Sequence, residues 1–328
     1  MKKYYTRACN FYYGKISRHL VKKKKSLPLC GNNKISFDKI EIFTRYQKKI
    51  SSKIINIKDI KKQNIKIKKK IQKDIKLIIS KRFIFSAPQL MGILNITPDS
   101  FSDGGKFFKA NNAFKQINLM IKAGAKIIDV GGESTRPGSK TIQPKQEWKR
   151  IEKVIKNFKK KYPEIMLSVD TRKSEIMVKS IKHKADIIND ISSFNHDPKS
   201  FSKIKNANVW KVIHHMQGTP KTMQLQPKYK NVLLDIYDFF ENKINNQVNK
   251  EKNCKKIILD PGIGFGKNLK HNLMLLSKIS IFHSLGFPIL IGTSRKKFIS
   301  QISQKYDTKE RIGGTLSSVL FTFSQGVQ

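Results

Sequence analysis

Acidic residues are scarce in this 328-residue chain: 23 Asp and Glu stand against 67 Lys and Arg, for a formal net charge of +44 at pH 7. Such an excess brings a nucleic-acid or anionic-membrane partner into consideration. Cysteine is nearly as rare. Cys9, Cys30 and Cys254 are scattered and odd in number, so they form neither a disulfide framework nor a metal motif. A reducing compartment, the cytoplasm, fits that usage. Long apolar runs are lacking too: none approaches the length needed to span a membrane, and the amino terminus has no apolar core of the secretory kind. What remains is enough, at 38% hydrophobic residues, to fill the core of one large α/β barrel with an appendage, or of two ordinary domains.

The charge is unevenly spread. Residues 1–86 hold 26 basic and 4 acidic side chains, so half of the excess sits in about a quarter of the chain. Lys, Ile and Asn dominate everywhere, including surface positions where other residues would serve, which reads as a compositional bias more than a nucleic-acid surface. Within this basic amino-terminal extension, Ser26–Phe43 has two apolar stretches around Gly31-Asn32-Asn33 and suggests a hairpin. Lys48–Ile79 alternates Lys and Ile densely. Its periodicity does not separate an amphipathic helix from a solvated linker, and the linker is the expectation.

From residue 87 the pattern becomes regular. Strand-like runs fall at Gln89–Asn95, Lys126–Gly132, Met166–Thr171, Asp186–Ile191, Val209–His215, Lys256–Gly262 and Pro288–Ser294, with helical spacing between them. Alternating β and α units imply a parallel sheet with helical crossovers. Seven repeats without a dinucleotide fingerprint favour a (β/α) barrel over a doubly wound sheet.

Every one of those runs ends on polar chemistry. Asn95, Asp129 with Glu133, Asp170, Asn189 with Asp190, His214 with His215, Asp260, and Ser294 with Arg295 and Lys296 stand at the carboxyl ends, which in a barrel converge on one rim. Asp170, Asn189 and Asp260 offer acceptors that suit a heterocycle with a planar array of N–H donors. Arg136, Arg295 and Lys296, with the glycines of GGESTRPGS, suit phosphate oxygens, so a diphosphate is the natural second guest. Asn95 and Asp99 are hard oxygen ligands of the kind Mg²⁺ accepts beside a phosphate. Two motifs are discounted. GIGFGK (Gly262–Lys267) is one residue short of a P-loop, and His214 and His215, as strand neighbours, face opposite sides and cannot form a zinc pair.

The motifs MGILNITPDSFSDGG, IIDVGGESTRPGS, LSVDTRKSE, IINDISS, HHMQGTPKTMQ, ILDPGIGFGKN and IGTSRKKF, in that order between about Gln89 and Gly326, resemble those of bacterial dihydropteroate synthases. The resemblance implies a TIM (β/α)8-type barrel over residues 87–328. It also implies condensation of 6-hydroxymethyl-7,8-dihydropterin diphosphate with p-aminobenzoate to 7,8-dihydropteroate and diphosphate, in a homodimer. By it Asp170, Asn189, Asp260 and Lys296 hold the pterin ring and Asn95 ligates Mg²⁺. Thr135 and Arg136 lie near the diphosphate and the aminobenzoate. Phe101 and Asp103 belong to a first loop over the site, and Pro137, Ser294 and Phe265 line the aminobenzoate surface. Arg136, Lys296 and Asp170 are the expected catalytic residues.

The family pattern also ends on a further strand with an Arg-x-His pair, and this chain stops at Gln328 where that strand would start. The expectation is therefore a barrel lacking its last strand and helix, open between its first and seventh strands and weakly active. Two other readings stand beside this one: a pterin-binding methyltransferase domain, which would not need the Arg136 loop, and a basic RNA-binding protein on a relic barrel.

Overall fold

The computed structural model describes residues 2–81, 88–97, 110–134, 138–248, 256–304 and 306–328. The chain divides into two compact units. One comprises Met1–Pro88 with Lys228–Asn242 and Lys267–Gln328, and the other comprises Gln89–Pro227 with Lys243–Gly266.

In the first unit β1 (Lys3–Tyr13), β2 (Leu27–Leu29), β3 (Asn32–Tyr46) and β4 (Lys49–Asn56) form an antiparallel sheet centred on β3. β1 lies along one edge of β3, while β2 and β4 share the other. The expected hairpin is there, as the β2–β3 turn around Cys30 and Gly31. α1 (Gly14–Lys22) and α2 (Ile65–Ile79) complete the segment.

The solvated linker expected over Lys48–Ile79 is not observed. Its first part pairs as β4, and its last part is α2, started by Asn64, whose side chain accepts the Ile67 N–H at 3.0 Å. Ile67, Ile71 and Ile78 recur at helical spacing and are buried against Ala8, Leu29, Phe37, Ile40 and Ile42 of the sheet. Burying that stripe outweighs the preference of a Lys-rich run for water, since each fully buried Ile contributes about 1.5–3 kcal/mol.

The sheet is buried on its other side as well. There Glu41 accepts from Arg7 at 2.6 Å and from Lys278 at 2.6 Å. At the end of β1 and β3, Lys3 and Arg45 bind Asp235, Asp238 and Glu241 of α7 (Val232–Lys243) at 2.6–3.0 Å. Two short helices, α8 (Leu269–Ser277) and α9 (Lys297–Ser303), and the longer α10 (Ile312–Phe323) also belong to this unit.

The second unit holds six parallel strands, β5 (Met91–Asn95), β6 (Ile127–Gly131), β7 (Met166–Asp170), β8 (Ile187–Asp190), β9 (Trp210–His214) and β10 (Ile257–Asp260), hydrogen-bonded in chain order. Helices α3 (Ala110–Lys122), α4 (Pro144–Lys161), α5 (Ser174–Lys182) and α6 (Ser200–Ile204) alternate with them, as a (β/α) barrel requires.

The seventh run departs from expectation. Pro288–Ser294 contributes no ladder strand among the described residues, so the ladder runs from β5 to β10 and Ser294 to Lys296 stand in a turn leading to α9. Pro288 has no N–H to give a neighbour, and pairing in the run is confined to a single bridge residue, Ile289, whose backbone also meets Gln328. Its N–H donates to Gln328 Oε1 at 2.9 Å, and its carbonyl accepts the Gln328 N–H at 3.3 Å.

Candidate active site

Parallel pairing aligns residues of adjacent strands on one face. Asn95, Gly131, Asp170 and Asn189 are register partners in succession across β5, β6, β7 and β8, and His214 pairs with Asp260 across β9 and β10. Two residues back on the same face stand Asp129 and Ser168, because strand side chains alternate. The expected pocket residues Asn95, Asp170, Asn189 and Asp260 thus come to the carboxyl ends of their strands, as the sequence implied.

Gly131 lets two of them converge. A Cβ there would lie 3.4 Å from Asn95 Oδ1 and 3.5 Å from Asp170 Oδ2, so the missing side chain leaves a shared space between amide and carboxylate. Asp129 was counted in the strand-end set but given no substrate role. It is buried beneath that space, and its Oδ2 accepts from Asn189 Nδ2 at 3.0 Å. Its signal was available: one charged residue inside the apolar run IIDVG.

This rim is built with acceptors left over. Asp129 Oδ1, Asp170 Oδ1 and Asn189 Oδ1 are all buried without a hydrogen-bond partner among the described residues. An unpaired buried polar atom costs about 1–3 kcal/mol, so three in one place mark a site completed by a ligand. Burial first, and then the charge of Asp129, pushes the Asp170 carboxyl well above the usual range. Burial likewise raises Asp129, with the charge of Asp260 adding to it. A group of donors arriving at these oxygens would relieve the cost and restore the charged forms.

At the other end of the row Asp260 Oδ1 accepts the Gly262 N–H at 2.7 Å, and its Oδ2 lies 3.9 Å from His214 Nε2. The opposite ring nitrogen of His214 meets the Ile191 carbonyl at 3.1 Å, and the Phe265 ring stands edge-on at 4.8 Å between centroids. His214, likewise counted in that set without a substrate role, is put beside Asp260 by the register. The discounted GIGFGK loop has a packing role. Gly262 has φ +67, and a Cβ on it would come within 2.0 Å of the His215 carbonyl oxygen, so only glycine fits where this loop crosses the end of β9.

Other strand-end groups are structural. Asp190 faces away from Asn189 and caps its own loop, accepting from the Ser192 N–H and hydroxyl at 2.7 Å and from the Phe194 N–H at 3.0 Å; burial still pushes it up to about 6. Glu133 joins a buried ion network with Arg172 at 2.7 Å and Lys173 at 3.0 Å, and Lys173 in turn bonds Glu147. Burial opposes ionisation of Glu133, but the Ile142 N–H, Arg172 and Lys173 hold it below the usual range. Through Glu133, which also accepts the Ile142 N–H at 3.0 Å, this network ties down described backbone on both sides of Thr135, Arg136 and Pro137 in the sequence.

Those three residues, and Asp99, Phe101 and Asp103 of the preceding loop, lie outside the described residues. Lys296 and Ser294 belong to the first unit. There Lys296 precedes α9, and its Nζ lies 3.7 Å from the Cβ position of Gly292.

No group of three His, Cys, Asp or Glu able to hold a metal occurs among the described residues. Mg²⁺ is different, because it commonly keeps waters and takes one or two protein oxygens beside substrate phosphates. The exposed Asn95 Oδ1 above the Gly131 gap fits that lesser demand.

Residues 91–328 match a family model described as pterin binding enzyme. Dihydropteroate synthase of Escherichia coli strain K12 is 43% identical over 241 residues, covering 74% of this chain and 84% of the relative. Among solved structures, the Yersinia pestis dihydropteroate synthase in a sulfonamide drug complex has a TM-score of 0.69 at 39% identity, covering 74% of this chain and 87% of its own. A Xanthomonas albilineans dihydropteroate synthase with 4-aminobenzoic acid has the same TM-score at 31% identity, covering 75% and 88%.

Proposed function

Since this chain belongs to the pterin-binding enzymes and, among them, to the dihydropteroate synthase family, we propose that its strand rim is the dihydropterin half of the condensation site. The chain is a transferase of folate biosynthesis. In the reaction a C–O bond to diphosphate breaks, a C–N bond to p-aminobenzoate forms, and the amine gives up a proton.

The observation that carries the assignment is the set of unpartnered acceptors on Asp129, Asp170 and Asn189. A dihydropterin presents N–H donors in one plane, and Asp170 Oδ1, Asn189 Oδ1 and the Asp260 carboxylate are the oxygens to receive them. As diphosphate leaves, the pterin methylene becomes electron-poor and the ring nitrogens share the positive charge. Carboxylates held in place beneath that ring stabilise it without reorganising, which is where their main rate contribution arises. A weakly basic aromatic amine then attacks without requiring a strong base.

Asn95 is the residue that would hold Mg²⁺, which when bound would neutralise charge on the leaving diphosphate. Arg136 is the residue to supply a cationic contact and Thr135 to lie near the diphosphate, as their motif implies. Phe265, which packs on His214, is the described residue proposed to line the p-aminobenzoate surface, with Pro137 and Phe101 as their motifs imply. The relative solved with 4-aminobenzoic acid supports that second substrate.

The test is calorimetric. Asp170→Asn leaves one acceptor oxygen where the carboxylate has two and removes the negative charge that favours the pterin N–H groups, so dihydropterin binding should weaken by about 1–3 kcal/mol. Unchanged binding would remove Asp170 from the site.

A second copy of the chain is the proposed macromolecular partner. On α10 the side chains of Ile312, Leu316, Leu320 and Phe323 recur on one helical face and are all exposed, at 58, 57, 55 and 46%. An apolar stripe of this kind supports a homodimer. Leu316→Glu should shift the sedimentation mass from dimer to monomer; a wild-type chain that sediments as a monomer at micromolar concentration defeats the idea. Cys9 and Cys30 are buried and form no disulfide among the described residues, which suits a cytoplasmic setting, and among the described residues no helix is long and apolar enough to cross a membrane.

A further inference from the structure

Of the pocket acids, Asp129 lies deepest, two residues back from the strand-end row, and its Oδ2 is turned to Asn189 and not to a substrate. We infer that Asp129 is a positioning and specificity-determining residue: it holds the Asn189 side chain so that the pocket presents an oxygen, and not an NH2 group, to the pterin. The inference rests on Asn189 being a pterin contact.

A terminal amide has a donor end and an acceptor end joined by a torsion with two broad wells, so by itself it can present either. A carboxylate can only accept. The 3.0 Å bond from Asn189 Nδ2 to Asp129 Oδ2 therefore fixes the donor end downward, and Asn189 Oδ1 is left toward the pocket without a partner. The contact runs diagonally across β7. It is available because the intervening register position is Ser168, a small side chain, and Asp129 in turn pairs with Ser168 in the ladder.

The arrangement also explains a costly choice. Asp129 is 5% exposed and keeps one oxygen unpartnered, yet it sits in a strand interior between its register neighbours Ile93 and Ser168. Its return is selectivity. A site with a fixed acceptor rejects a ligand edge that offers another acceptor, because two opposed oxygens would be buried without a proton between them.

The experiment uses the full chain and four variants: Asn189→Ala, Asp129→Asn, Asn189→Asp, and the double exchange Asp129→Asn with Asn189→Asp. Each is titrated calorimetrically with 6-hydroxymethyl-7,8-dihydropterin diphosphate, and the KM of each substrate is measured. Asp129→Asn frees the amide to rotate, and Asn189→Asp sets two carboxylates against each other, so each single variant should lose about tenfold in dihydropterin affinity. The double exchange again joins a donor end to a carboxylate oxygen and leaves an oxygen toward the ligand, so it should recover to within about threefold of wild type. Throughout, KM for p-aminobenzoate should stay within about twofold, a separation that general loss of structure would not produce.

Wild-type dihydropterin binding by Asp129→Asn, or no recovery in a double exchange with native circular dichroism, overturns the inference. Wild-type binding by Asn189→Ala instead overturns the pocket assignment beneath it. If Asp129→Asn does not fold, the double exchange decides alone: recovery supports the role, and its absence in a folded protein ends it.

Discussion

Buried acids at two places in this molecule, the antiparallel sheet and the strand rim, are treated oppositely. In the first, Glu41 is enclosed by Arg7 and Lys278. Its carboxyl is held below the usual range because those cations outweigh the cost of burial. In the second, Asp129 and Asp170 have no cation at hydrogen-bond distance among the described contacts, keep unpartnered oxygens, and are pushed upward by burial. A satisfied acid stabilises a fold, whereas an unsatisfied one spends stability that a ligand can return. The contrast separates a structural acid from a binding acid with no appeal to sequence likeness.

The largest effect should come from breaking the satisfied side. Glu41→Ala strands two cations against the sheet, one of them Arg7 with 12% side-chain exposure. Removing one member of a buried pair costs about 3–5 kcal/mol, and the low end applies because the Lys278 side chain is 33% exposed. A shift in urea midpoint at unchanged slope would report it; a loss below about 1 kcal/mol would show that the pair is no more than a surface contact.

On the unsatisfied side the sign reverses. Asp170→Asn, though it impairs dihydropterin binding, should raise the melting temperature of the ligand-free protein at pH 7, by roughly 2–4 °C for about 1 kcal/mol. The pH dependence sharpens the same comparison. A carboxyl raised by folding binds more protons in the native state, so its contribution is lost as pH rises from the ordinary carboxylate range through the raised value. Asp129, Asp170 and Asp190, the last at about 6, all act in that direction. Glu41 acts in the other, stabilising above its ordinary value and ceasing to do so as pH falls through the depressed one. Ligand-free stability should therefore decline from about pH 5 toward 7 less steeply in Asp170→Asn than in wild type, and saturating dihydropterin should flatten the wild-type profile. Parallel profiles for the two proteins would mean that Asp170 is not the titrating group.

How much of this was legible in the chain differs between the same two regions. Residues from Met91 onward announced six of their strands within a residue or two, because a buried parallel strand is a short apolar run cut off by loop chemistry. Asn95, Asp170, Asn189 and Asp260 were identifiable for the same reason: a polar residue closing such a run stands on the rim. Pro288–Ser294 carried the same pattern and formed no ladder strand, since pairing is a property of neighbours and not of the run. In the extension, Lys48–Ile79 hid a strand and a helix behind one composition. The spacing of Ile67, Ile71 and Ile78 was there to be read, but which isoleucines are buried depends on a sheet that only folding supplies.

The sequence by itself determined the alternation of β and α units, the identity of the rim residues and, through its motifs, the family. Tertiary structure decided what each polar residue does. Asn189 and Asp190 are neighbours in the chain, yet strand alternation sends one to the pocket and the other to a loop cap. Asp129 and Glu133 lie four residues apart, yet the first meets an amide that must be held and the second meets Arg172 and Lys173. A carboxylate's role is set by the donors within about 3 Å of it, and in a parallel barrel those donors come from strands some 20 to 60 residues away.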